Sequence, residues 1–132
     1  MTEKVIFVDD EEIFLNSLRR YFSRLETAWD TDFYVNQTDA LAALNPDDTA
    51  VIVLDWSMPG MDGITWCKHA RQLAEENQAH FHIIMLTGHD GVEDTIDALE
   101  GGADDYLCKP VNLHDLKTHI ELGFNILKNY SA

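Results

Sequence analysis

The chain has 132 residues, 45% of them hydrophobic, which is enough for one domain with a real core, and no apolar run approaches the length of a membrane span. Nine basic against 24 acidic residues leave a formal charge of −15, which repels nucleic acid and anionic membranes and so sets aside direct binding of either by this chain. The start, Met1-Thr2-Glu3-Lys4, lacks the layout of a signal peptide, and Cys67 and Cys108 form no metal-ligand pattern; both point to a reducing, cytoplasmic setting with the cysteines as small packing residues.

Taken in order, strand and helix alternate. Val5-Ile6-Phe7-Val8 reads as a first buried strand ending on Asp9-Asp10. Glu11 and Glu12 open a helix with Phe14, Leu18, Tyr21, Phe22 and Leu25 at helical spacing, and Arg19, Arg20 and Arg24 toward its C-terminal end suit the helix dipole. Phe33-Tyr34-Val35 is a short second strand, followed by a brief helix capped by Thr38 and stopped at Asn45-Pro46. Val51-Ile52-Val53-Leu54 has no polar alternation, so it reads as a central strand buried on both faces; it ends on Asp55. Pro59, Gly60 and Gly63 punctuate the loop that follows, and a helix runs from about Ile64 to Asn77. Phe81 to Leu86 is the fourth strand, closing on Thr87-Gly88. Asp90 and Glu93 resemble a capping box for a fourth helix with Val92, Ile96 and Leu99 on one face, ended by Gly101-Gly102. The fifth strand, Asp105 to Cys108, delivers Lys109-Pro110, and Asn112 caps a last helix carrying Leu113, Leu116, Ile120, Phe124 and Leu127.

Five strand-helix units without a linker or repeat predict an α/β fold: a doubly wound, five-stranded parallel sheet covered by five helices on two faces. Strand order 2-1-3-4-5 would put strands one and three at the topological switch point, with Asp9-Asp10 and Asp55 on either side of the crevice.

Three carboxylates crowded there are unfavourable unless one takes a proton or a divalent cation binds among them. Oxygen-only ligands favour a hard ion, and Mg²⁺ fits best because it commonly bridges carboxylates to a phosphate. Lys109 offers a compact positive charge, Thr87 a hydroxyl donor, and Gly88 leaves room for an incoming group. Together these describe in-line phosphoryl transfer onto Asp55. The product would be an acyl phosphate of about −2 charge, able to draw Thr87 and Lys109 inward.

Asp9-Asp10, Asp55 with Met58-Pro59-Gly60-Met61-Asp62-Gly63, Thr87-Gly88 and Lys109-Pro110 resemble the receiver domain of two-component response regulators, of the chemotaxis-regulator type, across about residues 4 to 125. The resemblance implies a flavodoxin-like fold and a phosphoryl group accepted by Asp55 from a phosphohistidine of a sensor histidine kinase or phosphotransfer protein. It implies Mg²⁺ held by Asp10, by Asp9 largely through water, by Asp55 and by the Ser57 carbonyl. Lys109 and Thr87 would contact the phosphoryl group, Tyr106 would be the aromatic switch that turns inward with Thr87, and Lys109–Pro110 would be cis. Ser57 and His89 would flank the path of attacking water and tune the phosphoryl lifetime. Such a domain is a phosphoacceptor with self-catalysed transfer and dephosphorylation rather than a separate enzyme. Its output face, formed by the fourth helix, fifth strand and fifth helix, would control an output domain or partner protein. The alternative is a phosphorylation-independent pseudo-receiver, which would be expected to lose Asp10, Asp55, Thr87 or Lys109; all are present. Residues 1–125 are thus read as the receiver domain, and 126–132 as the end of the last helix and a tail, or the start of a linker to an output domain. His80 and His82 show no third metal ligand, and His114 and His119 do not align on a helix. Trp56, beside Asp55, is a natural fluorescence reporter.

Overall fold

Alternate residues of a strand face opposite layers, and a parallel strand covered on both sides has no solvent face. The computed structural model describes residues 3–56, 62–88 and 101–130. Within them lie β1 (Glu3–Val8), β2 (Asp30–Tyr34), β3 (Thr49–Asp55), β4 (Phe81–Thr87) and β5 (Asp105–Cys108), with helices α1 (Glu12–Ser23), α2 (Gln37–Ala43), α3 (Gly63–Glu76) and α4 (Leu113–Lys128). All strand pairings are parallel, and the order is β2-β1-β3-β4-β5, the predicted doubly wound arrangement. The predicted helix containing Val92, Ile96 and Leu99 lies outside the described residues, so four helices are described rather than five. None of the described helices is long and apolar enough to cross a membrane.

Strand alternation divides the core in two. Ile6, Val8, Ile52, Leu54, Ile83 and Met85 join Ala40 of α2 and Trp66, Cys67, Ala70 and Ala74 of α3 on one face. Val5, Phe7, Val51, Val53, Ile84 and Leu86 meet Leu15, Leu18 and Phe22 of α1 and Leu116, Ile120, Phe124 and Leu127 of α4 on the other. Every residue of β4 is buried. Burying each large apolar side chain stabilises the fold by about 1.5–3 kcal/mol, the main force holding the strand ends in place.

Local capping departs from the sequence reading at α2. Asn36, not Thr38, caps α2: its Oδ1 accepts the N–H groups of Thr38 and Asp39 at 2.7 and 3.1 Å, because an Asx side chain reaches the second and third helical N–H. Glu11 occupies the N-cap position of α1 without a side-chain bond. Asn112 does cap α4, accepting from the Asp115 N–H at 3.1 Å. β2 starts at Asp30 rather than Phe33, since pairing with Lys4 of β1 extends it back through polar, partly exposed residues at the sheet edge. The cysteines also part company. Cys67 is buried, its thiol pushed up to about 12 by burial, whereas Cys108 is exposed on the edge strand and is not a packing residue.

Two polar features lie inside this frame. The Arg71 guanidinium of α3 donates to the carbonyls of Gly102 and Phe81 and to the Asp104 carboxylate, and Asp104 also accepts the Ile83 N–H at 2.8 Å. This clip joins α3, the start of β4 and the lead into β5, where Gly102 adopts φ +112°, a conformation suited to glycine. His82 is buried in β4 directly under Gly123 of α4, where a Cβ would sit 2.6 Å from the imidazole Cδ2 and 3.1 Å from a Val51 methyl.

Gly123→Ala is therefore expected to destabilise the protein by about 1–3 kcal/mol through overpacking, although an exposed helical Gly→Ala would gain about 1 kcal/mol. In a urea double-mutant cycle with His82→Ala the two losses should be markedly less than additive; strict additivity would show that the ring is not what Gly123 accommodates. Burial also lowers the His82 pKa below 6.5, against the opposing pull of Asp104 and Asp105. The unfolded chain then binds the proton first as pH falls, so this contribution to stability is full above 6.5 and is lost as pH drops toward the depressed folded value. The stability difference between wild type and His82→Leu should shift against wild type over that range, and a pH-independent difference would contradict it.

Candidate functional site

Three strand ends and one loop converge at the carboxyl edge of the sheet. Asp9 follows β1 and is buried. Its Oδ1 accepts the Glu11 N–H at 2.9 Å and its Oδ2 accepts the Lys109 ammonium at 2.8 Å, so both oxygens have fixed directions. Asp10, next in the chain, is exposed, and Asp55, the last residue of β3, is buried. One carboxylate oxygen from each of Asp9, Asp10 and Asp55 lies within 4.8 Å of the others.

Lys109 crosses to this trio from the far side. Its backbone N–H donates to the Thr87 carbonyl at 2.7 Å, and the Lys109–Pro110 peptide bond is cis. Beyond Asp9, Nζ lies 3.5 Å from Asp55 Oδ1 and 3.6 Å from Glu11 Oε1, and it sits 4.9 Å from the centroid of the Phe14 ring. Burial alone would pull the Lys109 pKa down. The hydrogen bond to Asp9 and the charges of Asp55, Asp9 and Glu11 outweigh it, so the ammonium is held charged above its ordinary range.

Thr87 ends β4 buried, one register position beyond the Asp55–Leu86 pair. Gly88 is exposed, and a Cβ there would meet nothing within 4 Å among the described residues. Tyr106 lies opposite Met85 in β5 and packs, partly buried, on the α2–α3 layer. Its N–H donates to Asp105 Oδ1 at 2.8 Å, and Asp105 Oδ2 pairs with His119 Nδ1 of α4. Trp56 is half-buried beside Asp55, its N–H donating to the Leu86 carbonyl at 2.7 Å.

The structure thus brings together Asp9, Asp10, Asp55 and Lys109, with Thr87 on the neighbouring strand end. Ser57 and His89 lie outside the described residues. Sequence reasoning missed Glu11 and Phe14 as neighbours of Lys109. Their place in the first turn after Asp9-Asp10 was the available signal, but only the crossing of Lys109 gives it meaning. It also set aside His119, whose partner is on β5 and not on its own helix.

Chemically, an oxygen-only trio with one fixed ammonium suits a hard divalent cation and an anionic group beside it. The trio's exposed member should control both its repulsion and its cation affinity. Asp10→Asn is expected to raise the melting temperature in chelator-treated buffer by roughly 2–4 °C, by removing like-charge repulsion. It should weaken Mg²⁺ binding at least about tenfold, followed through Trp56 fluorescence with Trp56→Phe as control. A variant that melts unchanged and binds Mg²⁺ as tightly as wild type would show that Asp10 is a surface residue only.

Comparison with known proteins bears on this geometry. The family model described as the response regulator receiver domain matches residues 5–121. Among solved structures, the receiver domain of Francisella response regulator 1452 is 30% identical, with 92% of this chain and 96% of that one covered and a TM-score of 0.75. A response regulator receiver domain protein from Clostridium thermocellum is 26% identical over 96% and 97% of the two chains, with a TM-score of 0.83. An adenylate cyclase from Rhodopirellula baltica is 30% identical over 98% of this chain and 90% of that one, with a TM-score of 0.76. With the family model spanning most of its length and the same doubly wound sheet beneath the carboxylate trio, this chain belongs to the response regulator receiver domains of two-component systems.

Proposed function

We propose that this receiver accepts a phosphoryl group on Asp55 from the phosphohistidine of a sensor histidine kinase or phosphotransfer protein. The observation that carries the reading is the Lys109 ammonium held between two buried carboxylates, Asp9 at 2.8 Å and Asp55 at 3.5 Å, beside the exposed Asp10.

An Asp55 carboxylate oxygen attacks phosphorus as the P–N bond of the donor breaks; the electron pair leaves with the imidazole nitrogen, which takes up a proton. The product is an aspartyl phosphate. Mg²⁺, held by Asp10, Asp55, the Ser57 carbonyl and Asp9 through water, would neutralise charge on the transferring group. Lys109 turns from the carboxylates toward the new phosphoryl oxygens, keeping the charge it already has. Thr87 donates its hydroxyl to them, and Gly88, with no side chain, leaves room for the group. Inward movement of Thr87 makes room for Tyr106, so the state of Asp55 is read at the face carrying β5 and α4. Ser57 and His89 would tune how long the phosphoryl group lasts.

The reader of that face is an output domain or a separate protein. Solved relatives include the adenylate cyclase named above and the signal receiver domain of an HD domain-containing protein from Pseudomonas fluorescens, so receivers of this shape serve different outputs. The charge of −15 argues against DNA or an anionic membrane as a direct partner of this domain and fits a cytoplasmic signalling protein. Residues 1–125 would form the receiver, with 126–132 its tail or the beginning of a linker.

Incubation with acetyl phosphate and Mg²⁺ should add the mass of one phosphoryl group, detected by intact-protein mass spectrometry. The gain should vanish in Asp55→Ala and with chelator, and Lys109→Ala should lower it strongly. No gain after rapid quenching, together with no response to beryllofluoride, would leave a pseudo-receiver that binds partners without phosphotransfer.

A further inference from the structure

Lys109 carries its charge on a flexible four-carbon stem, and its ammonium must keep one position at rest yet be free to turn toward a phosphoryl group. Its carboxylate neighbours do not meet both needs. Asp9 accepts its hydrogen bond at 2.8 Å, while Asp55 and Glu11 form ion pairs with it at 3.5 and 3.6 Å, and each of these contacts competes with a phosphoryl oxygen. The fourth neighbour differs in kind: Phe14 presents its ring 4.9 Å from Nζ, within the reach of a cation–π contact. An aromatic face attracts the charge without engaging a particular N–H, so rotation of the ammonium leaves the attraction in place.

Phe14 is placed for this by the first turn of α1, which begins directly beyond the Asp9-Asp10 pair. It packs against the α1–α4 core layer. It also lines a groove of about 590 Å³ with Glu11, Ser17, Lys109, Pro110, Val111 and Leu113. Ring and ammonium thus border the same groove, and without the ring more of the groove's water would reach the ammonium.

We propose that Phe14 is a positioning residue for Lys109: its ring holds the ammonium over the Asp9–Asp55 pair at rest and supports it as it turns to the phosphoryl group. The second half rests on the phosphoacceptor reading above; the first does not.

The test uses the full chain with Phe14→Leu, which keeps apolar volume but removes the π face, and Phe14→Trp, which keeps the face. Initial rates with acetyl phosphate and Mg²⁺ should fall about two- to fivefold for Leu and stay near wild type for Trp. In a double-mutant cycle with Lys109→Met, read as the unfolding equilibrium constant, Phe14 and Lys109 should be coupled by a factor of about two to five. A wild-type rate in Phe14→Leu, equal slowing in Leu and Trp, or an additive cycle would overturn the proposal, since each marks plain packing. If wild type takes up no phosphoryl group, the phosphoacceptor reading falls, and the cycle alone upholds or overturns the positioning of Lys109.

Discussion

A single ammonium set among buried carboxylates is the constraint on which the rest of this structure turns. Asp9 and Asp55 are placed by β1 and β3, adjacent in the centre of the sheet, and two carboxylates buried side by side call for a positive charge beside them. Lys109 supplies it, but it is carried just beyond β5, a four-residue strand at the sheet edge paired only with β4 among the described strands. Such a strand holds little of its own position. At its start the Arg71 guanidinium clips Asp104 and Gly102 to α3. At its first residue Asp105 ties it to His119 of α4, and just beyond its end the Lys109 N–H bonds the Thr87 carbonyl. The site's charge balance thus depends on contacts reaching to the opposite edge of the sheet.

The parts of this molecule that were legible in the sequence are those where local pattern and global fold agree. The runs Val5–Val8, Val51–Leu54 and Phe81–Leu86 read as strands covered on both faces, and the carboxylates and Thr closing them marked the carboxyl edge before any topology was known. Asn112 was readable as a cap because it directly precedes the apolar spacing of α4. What escaped are contacts between residues distant in sequence. Nothing in the spacing of Arg71 announces Gly102, Phe81 and Asp104 as its acceptors. His119 looked idle on its own helix because its partner is fourteen residues upstream in β5. The Trp66 indole donates to the Gln37 carbonyl at 2.9 Å, across 29 residues, where a pattern reading sees only an apolar position. Asn36 lost the cap to Thr38 for a smaller reason: both are cap formers, and two residues lie within the usual uncertainty of a helix start.

Lys4 shows why residue types alone do not define such a site. At the opposite edge of the same sheet its ammonium also stands between two carboxylates, 3.3 Å from Asp32 and 3.5 Å from Asp48. There the two side chains are 39% and 19% exposed, against 2% and 7% for Asp9 and Asp55 beside Lys109. Water solvates the first group, so its ion pairs contribute at most about 1 kcal/mol and nothing is left unbalanced if they open. Water is largely excluded from the second, so the charges there must be balanced by one another or by whatever enters. Each lysine has two aspartates for neighbours. Only the one whose partners are buried at the carboxyl edge, beside the exposed Asp10, leaves an electrostatic demand that an incoming cation or phosphoryl group can meet.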